Sequence, residues 1–162
     1  MKIILVCALL AILVVAVLLF TPLGGRPLSA LLGVGDLQTV DFENLPLTDK
    51  PNQFLMCPPQ LCKGHAVSPV FELSAEDLRE RWQRFIAAQP RVEVLAEHGQ
   101  QIDYVQRSAR FRFPDIITVR FISVAPSQST LAIYSRSVYG KSDFGVNRER
   151  IESWLSALGR DT

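Results

Sequence analysis

Hydrophobic and polar positions first set the N-terminal segment apart. The run from Ile3 to Phe20 has 18 residues without a charge, a proline or a glycine. At about 1.5 Å per residue a helix of this length reaches about 27 Å, close to the roughly 30 Å of a hydrocarbon core. A cleaved signal peptide has a shorter apolar region and a small-x-small cleavage site, and the run ends instead in Leu-Leu-Phe-Thr-Pro. We therefore predict an uncleaved transmembrane anchor over residues 1–22, with a signal peptide as the alternative.

The segment that follows the anchor has no sustained helical or strand period. Residues 23–52 are rich in glycine, proline, aspartate and asparagine, a composition typical of loops and linkers. They also contain too many leucines and valines for a fully solvated linker, so part of the segment is expected to pack on the domain. We predict a tether over residues 23–52 and one folded domain over residues 53–160, a length that suits a single core.

Two helices are predicted from capping residues and apolar spacing. Ser74-x-x-Asp77 resembles a capping box, and Leu78, Trp82 and Ile86 recur at helical spacing before Pro90 ends the run. This pattern predicts a helix over residues 75–88. Near the C-terminus, Asn147 is expected to cap a final helix. Its apolar stripe consists of Ile151, Trp154, Leu155 and Leu158.

The segment between the helices alternates in the way that antiparallel strands do. Strands are predicted over 91–95, 101–113, 116–122 and 130–138, because these runs are rich in Val, Ile, Tyr and Thr and are joined by short turns. The order of elements predicts a two-layer α+β domain. In it an antiparallel sheet of about four strands is covered on one face by two helices.

The charge pattern bears on partners and location. The chain has 17 Lys and Arg residues against 16 Asp and Glu residues, so its bulk charge does not indicate nucleic acid as a partner. Lys2 precedes the apolar run, and only Arg26 closely follows it. By the positive-inside rule the domain is expected in the periplasm or otherwise outside the cytoplasm, anchored in the cytoplasmic membrane by a single pass.

Cys57 and Cys62 flank a short loop that contains two prolines. In an exported domain such a pair indicates a disulfide. A metal site completed by His65 and His98 and a pair of free thiols are the alternatives; the spacing is longer than that of a zinc knuckle. We predict the disulfide, and neither a metal nor a cofactor.

Parity along the strands predicts a basic face on the side of the sheet away from the helices. If Ile117, Val119 and Phe121 face the helices, then Thr118 and Arg120 face away. In the preceding strand Tyr104 and Gln106 have the parity opposite to Phe111 and Phe113, so they are also expected to face away. Between residues 101 and 142 the chain has six basic and two acidic residues, and guanidinium groups suit phosphates and carboxylates. An anion-binding surface is one interpretation, and an ordinary solvated sheet face is the other. The candidate binding residues are Tyr104, Gln106, Arg107, Arg112, Arg120, Tyr134, Arg136, Tyr139, Lys141 and Asn147.

The segment SVYGKSDFGVN opens the last helix and gives a second candidate anion site. Helix N-termini favour anions, and Lys141, Asn147 and Arg148 lie close by in the sequence. An ordinary strand-to-helix loop is the alternative. The chain has neither a nucleophile elbow nor a phosphate-binding glycine loop. Asp103 and Asp143 are therefore only weak candidates for a catalytic base, and the chain is not assigned as an enzyme.

Several phrases of the sequence together resemble the DUF1499 family, a bacterial and plastid group without an assigned function. The most specific phrases are DYVQRS, RFRFPD and YSRSVYGKSDFGVNR, and the resemblance spans about residues 50–158. It implies no catalytic residues. Eight of the candidate residues lie within the family's signature phrases, namely Asp103, Tyr104, Gln106, Arg107, Arg136, Tyr139, Asp143 and Asn147.

Two functions follow from these observations. The first is a membrane-anchored envelope domain that binds an anionic lipid, a small molecule or a protein partner. The alternative is a hydrolase or transferase in which an aspartate acts as base and Arg and Tyr side chains hold an anionic substrate. A concave pocket with a desolvated carboxylate would favour the enzyme.

Overall fold

The structure is a computed structural model that describes residues 2–20, 32–35 and 37–160. Helix α1 covers Lys2–Phe20. Residues 21–22 of the predicted anchor and residues 23–31 and 36 of the predicted tether lie outside the described residues. Within the described ranges, no helix is long and apolar enough to cross a membrane. The structure therefore does not support the predicted transmembrane span.

The described part of the domain is built on one six-stranded sheet, two strands more than predicted. The strands are β1 Gln53–Cys57, β2 Ala66–Val67, β3 Val92–His98, β4 Gln101–Arg107, β5 Pro114–Ala125 and β6 Gln128–Ser137. Their order across the sheet is β2-β1-β6-β5-β4-β3. Strands β3 to β6 form the predicted antiparallel meander. The two extra strands arise because β1 pairs with β6 antiparallel and with β2 parallel.

The two predicted helices of the domain are present and cover one face of the sheet. Helix α2 spans Ala75–Ala87, and the Ser74 side chain accepts a hydrogen bond from the Asp77 amide, as the capping pattern predicts. Helix α3 spans Val146–Arg160. Trp82 of α2 and Trp154 of α3 meet edge to face, with ring centroids 5.9 Å apart. Both lie in a core with the helix-facing side chains of β4, β5 and β6.

Strand β4 ends six residues earlier than predicted. Residues 108–113 form a turn instead, in which the Ser108 amide donates to the Phe113 carbonyl and the Phe113 amide donates to Ser108 Oγ. Arg112 has a φ of 59° there, a left-handed conformation outside the range of a regular strand. Arg112 therefore does not lie on a sheet face.

The second face of the sheet is covered by residues 40–47, which we call the strap. Val40 and Phe42 are buried against Leu55, Ala132 and Tyr134 of the sheet. Leu45 and Leu47 of the strap and the half-buried Leu61 and Cys62 extend the same cluster. The strap gives the sheet a second, smaller core.

Cys57 and Cys62 form the predicted disulfide, with their Cα atoms 6.0 Å apart. Cys57 is buried at the end of β1, and both cysteines lie in the cluster under the strap. The disulfide excludes the two alternatives, a metal site and free thiols. It fixes the loop after β1 against the strap.

Candidate functional site

The side of the sheet that each candidate residue faces follows from the core clusters. Ile117 and Ile133 lie in the core under the helices, so Thr118, Tyr134 and Arg136 face the other way, as predicted. Tyr104 lies in the helix-side core instead. Gln106 accepts a hydrogen bond from α3. The expectation that these two residues face away from the helices is wrong, because the predicted strand ran through the turn at residues 108–113 and its parity was set from that turn.

The polar residues of the second face interact with one another. Thr118 Oγ1 donates to Asp103 Oδ1 at 2.5 Å, and Arg136 contacts Thr118 Oγ1 at 3.4 Å. The Arg136 guanidinium lies 5.0 Å above the Tyr134 ring, whose hydroxyl donates to Gln53. Burial lowers the pKa of Arg136, while Tyr134 and Asp103 oppose that shift. Asp103 is only 1% exposed, so its carboxylate does not reach a ligand in solvent.

Two further arginines of the predicted anion surface are in contact with the chain itself. Arg120 pairs with Glu43 of the strap at 3.7 Å. Arg107 donates to the backbone carbonyls of Leu32 and Arg112. The second face is therefore covered by the N-terminal part of the domain and is not an open basic surface.

Tyr104 does not contribute a charge or an exposed hydroxyl to a site. Its ring is packed under the helices, and burial raises the pKa of Tyr104 to about 12. The phenol is therefore neutral at physiological pH.

A buried polar cluster joins α3 to the sheet, with Arg150 at its centre. The Arg150 guanidinium donates to Asp115 Oδ2 at 2.6 Å, to Ser135 Oγ at 2.7 Å and to Gln106 Oε1 at 2.5 Å. A fourth bond goes to Asn147 Oδ1. The Arg150 side chain is 6% exposed and that of Asp115 is 15% exposed, so solvent screens this ion pair weakly.

The same cluster holds the loop between β6 and α3. The Asn147 side chain donates to the Asn52 carbonyl and to Ser137 Oγ, and the Asn52 side chain donates to the Gly140 carbonyl. Asp143 accepts from the amides of Gly145 and Asn147. Asp143 therefore caps α3, and the predicted cap, Asn147, points into the sheet. The reason is that Asn147 lies inside the first turn and is fully buried.

An aromatic cavity of about 380 Å³ lies where the β4–β5 turn meets this loop. Its apolar lining consists of Phe111, Phe113, Tyr139, Phe144 and Val146. Its polar lining consists of Ser108, Asp115, Ser137, Gly140, Ser142 and Asp143. Four of the apolar side chains are between 43% and 96% exposed. Burying such a cluster would stabilise a complex, at about 25 cal/mol for each Å² of apolar surface removed from water.

Phe144 is the most unusual residue of the aromatic cavity. Its side chain is 96% exposed, and its φ is 57°. A left-handed conformation is rare for a bulky residue, and such conformations cost about 1–3 kcal/mol and cluster at binding sites. Nothing in the packing of the domain requires an aromatic side chain at this position.

A polar cavity of about 510 Å³ lies on the other side of the same loop. Its lining consists of Thr48, Asp49, Lys50, Pro51, Gln53, Phe54, His65, Ser142, Asp143, Gly145 and Arg148. His65 stacks on Phe54 with ring centroids 5.4 Å apart, and the Arg148 guanidinium carbon lies 4.9 Å from the same ring centroid. One buried phenylalanine thus positions two nitrogen-bearing side chains.

A larger cavity of about 660 Å³ lies between α2 and the end of α3. It is lined by charges of both signs, and Arg84 and Glu80 approach to 3.5 Å there. None of the candidate residues lines it. Its size alone does not make it a site, and the pair of cavities at the β6–α3 loop is the better candidate.

The structure brings some candidate residues together and separates others. Tyr139 and Asp143 line the aromatic cavity, and Asp143 also lines the polar one. Lys141 is exposed in the same loop. Sequence reasoning missed Lys50 and the phenylalanines of the aromatic cavity, and it considered His65 only as a metal ligand. The available signal was Phe144, an aromatic residue between turn-forming residues Asp143 and Gly145.

The fold and the loop define a small α+β domain with an exposed concave site at one end of its sheet. The chain belongs to the DUF1499 family, described as a protein of unknown function, whose family model matches residues 45–158. The predicted resemblance is confirmed. No curated protein and no solved structure matches the chain significantly.

Proposed function

We propose that this domain binds a ligand without transforming it, and that the apolar part of the ligand occupies the aromatic cavity. The observation that carries the proposal is the exposed Phe144, held in a left-handed conformation, which lines the same cavity as Phe113 and Tyr139. Of the three ligand classes predicted from the sequence, a lipid or another small molecule fits best. The cavity is concave, and its volume falls in the range of small-molecule sites.

An enzymatic role has less support from the positions of the acidic residues. Asp103 is 1% exposed and accepts a hydrogen bond from Thr118. Both oxygens of Asp143 accept backbone amides. Asp115 is engaged by Arg150 at 2.6 Å. Each carboxylate that the sequence or the cavity suggests as a base already has a structural role.

The binding proposal predicts that Phe144→Asn weakens binding of a neutral apolar probe. N-phenyl-1-naphthylamine fluoresces when it enters an apolar site, and removal of the ring should weaken its saturable binding to the full chain about tenfold. This corresponds to about 1.4 kcal/mol. Asparagine tolerates the left-handed conformation, so folding should change little.

Val124→Asn is the matched control. Val124 is 54% exposed at the far end of β5, so this variant removes an exposed apolar side chain away from the cavity. Equal probe binding by the wild type and both variants would refute the aromatic cavity as the site.

The location of the domain is a separate proposal, which rests on the N-terminal sequence and on the disulfide. We propose that residues 1–22 attach the chain to the cytoplasmic membrane and that the domain lies outside the cytoplasm. The uncharged run Ile3–Phe20 and the preceding Lys2 favour this arrangement. The disulfide suits an oxidising compartment.

Reporters fused after Thr162 test the location. A reporter active only outside the cytoplasm should be active, and one active only in the cytoplasm should not. Cytoplasmic activity alone would overturn the orientation. Recovery of the chain in the soluble fraction after lysis would overturn the attachment.

A further inference from the structure

We propose that the ligand is an amphiphile with a phosphate group, and that this group binds in the polar cavity while the apolar part fills the aromatic cavity. The inference rests on the proposed function, because it assigns the second half of the same ligand. Ser142 and Asp143 line both cavities. A single molecule that lies across these two residues can therefore occupy both.

The donors of the polar cavity are positioned by one buried ring. Phe54 is 3% exposed, and both His65 and Arg148 pack against its ring. A planar guanidinium can bind two phosphate oxygens at once. Since Phe54 restricts its side chain, less conformational entropy is lost when Arg148 binds an anion.

His65 is held in one orientation and one tautomer. Its Nδ1 accepts a hydrogen bond from the Leu55 amide at 3.0 Å, and its own amide donates to the Leu55 carbonyl at 2.8 Å. The neutral ring therefore carries its proton on Nε2, which makes Nε2 a donor. Lys50 lines the same cavity and adds an ammonium group.

Two acidic residues also line the polar cavity and oppose an anion. Asp143 has both oxygens occupied by the amides of Gly145 and Asn147 at the start of α3, where the helix dipole offsets its charge. Asp49 is exposed. Its charge should weaken phosphate binding. Removing that charge should therefore strengthen binding, whereas removing the charge of Arg148 should weaken it.

The experiment compares three probes on the full chain by isothermal titration calorimetry. They are dihexanoyl phosphatidic acid, dihexanoylglycerol and inorganic phosphate. The first should bind at least about tenfold more tightly than either of the others, because only it fills both cavities. If inorganic phosphate binds as tightly as dihexanoyl phosphatidic acid, the site binds free phosphate, and the assignment of an amphiphilic ligand is refuted. If dihexanoylglycerol binds as tightly as dihexanoyl phosphatidic acid, the assignment of a phosphate site to the polar cavity is refuted.

Variants then locate the phosphate. Arg148→Gln should weaken binding of dihexanoyl phosphatidic acid about tenfold and leave N-phenyl-1-naphthylamine binding unchanged. Asp49→Asn should strengthen the binding of dihexanoyl phosphatidic acid, because it removes a negative charge from the lining of the polar cavity. Arg84→Gln, on the exposed side of α2, is the matched control and should have no effect.

The two proposals fail in different ways. Equal binding of N-phenyl-1-naphthylamine to the wild type and to Phe144→Asn overturns the proposed function. Unchanged phosphatidic acid affinity in Arg148→Gln, with the neutral probe still sensitive to Phe144→Asn, overturns only the phosphate assignment.

Discussion

Arg150→Met is expected to lower the free energy of unfolding by about 3–5 kcal/mol. The substitution removes the partner of a carboxylate that is 15% exposed and leaves Asp115 without its cation. It also removes donors from Gln106, Ser135 and Asn147. Buried polar groups that lose their hydrogen bonds destabilise the folded state.

Urea unfolding of the full chain, followed by the fluorescence of Trp82 and Trp154, measures this effect. Arg148→Met, an exposed arginine on the same helix, should change stability by less than about 1 kcal/mol. In the double variant Arg150→Met with Asp115→Asn, the loss should be smaller than the sum of the single losses. A loss below about 1 kcal/mol for Arg150→Met would show that the cluster does not hold α3.

Phe42→Ala is expected to lower the free energy of unfolding by about 3–5 kcal/mol, the range for a phenylalanine deleted from a core. Phe42 is fully buried in the cluster beneath the strap. The side chain belongs to the segment between the N-terminal helix and the domain, yet it packs as a core residue. The same urea titration measures the change.

Phe144→Asn is the control for this second prediction, because it removes an exposed phenylalanine and should change stability by less than about 1 kcal/mol. If Phe42→Ala were as stable as the wild type, the strap would not be part of the fold. The second face of the sheet would then be open, and its arginines would again be candidates for a binding surface.

The accuracy with which each element was predicted depended on how local its sequence signal is. The Ser74 cap and the spacing of Leu78, Trp82 and Ile86 are contained within one helix, so α2 was predicted to within one residue at its end. Strand β1 lacked such a signal. Its partner β6 lies about eighty residues later in the chain, and a short extended piece does not reveal a distant partner.

The face of the sheet was predicted correctly where strand boundaries were correct. The parity of β5 and β6 placed Thr118 and Arg136 on the second face, as observed. For β4 the expectation failed, because the turn at residues 108–113 interrupts the alternation. A shift of one residue in parity exchanges the two faces of a strand.

The candidate site was only partly accessible to sequence reasoning. The loop with Tyr139, Lys141 and Asp143 was singled out, and it forms the wall between the two cavities. Lys50 and His65 lie far from that loop in the sequence and reach it only through β1 and the disulfide-closed turn. The charge surplus on the sheet pointed to Arg120 and Arg107 as ligand-binding residues. Arg120 instead pairs with Glu43 of the strap, and Arg107 donates to the Arg112 carbonyl in the turn.

The rigidity of the loop follows from the buried cluster. Arg150 holds Asn147, and Asn147 and Asn52 hold the backbone on both sides of the loop. A loop fixed in this way presents Phe144 and Arg148 without a large ordering penalty on binding. Stability of the cluster and affinity for the ligand are therefore expected to be linked.

Chemical-shift mapping by NMR tests the central claim most directly. The full ¹⁵N-labelled chain is titrated with dihexanoyl phosphatidic acid below its micelle concentration. The account predicts saturable shifts of the amides of Phe113, Tyr139, Phe144 and Arg148, with smaller changes elsewhere in the sheet. Shifts confined to α1, or to the cavity between α2 and α3, with these four amides unmoved, would contradict it.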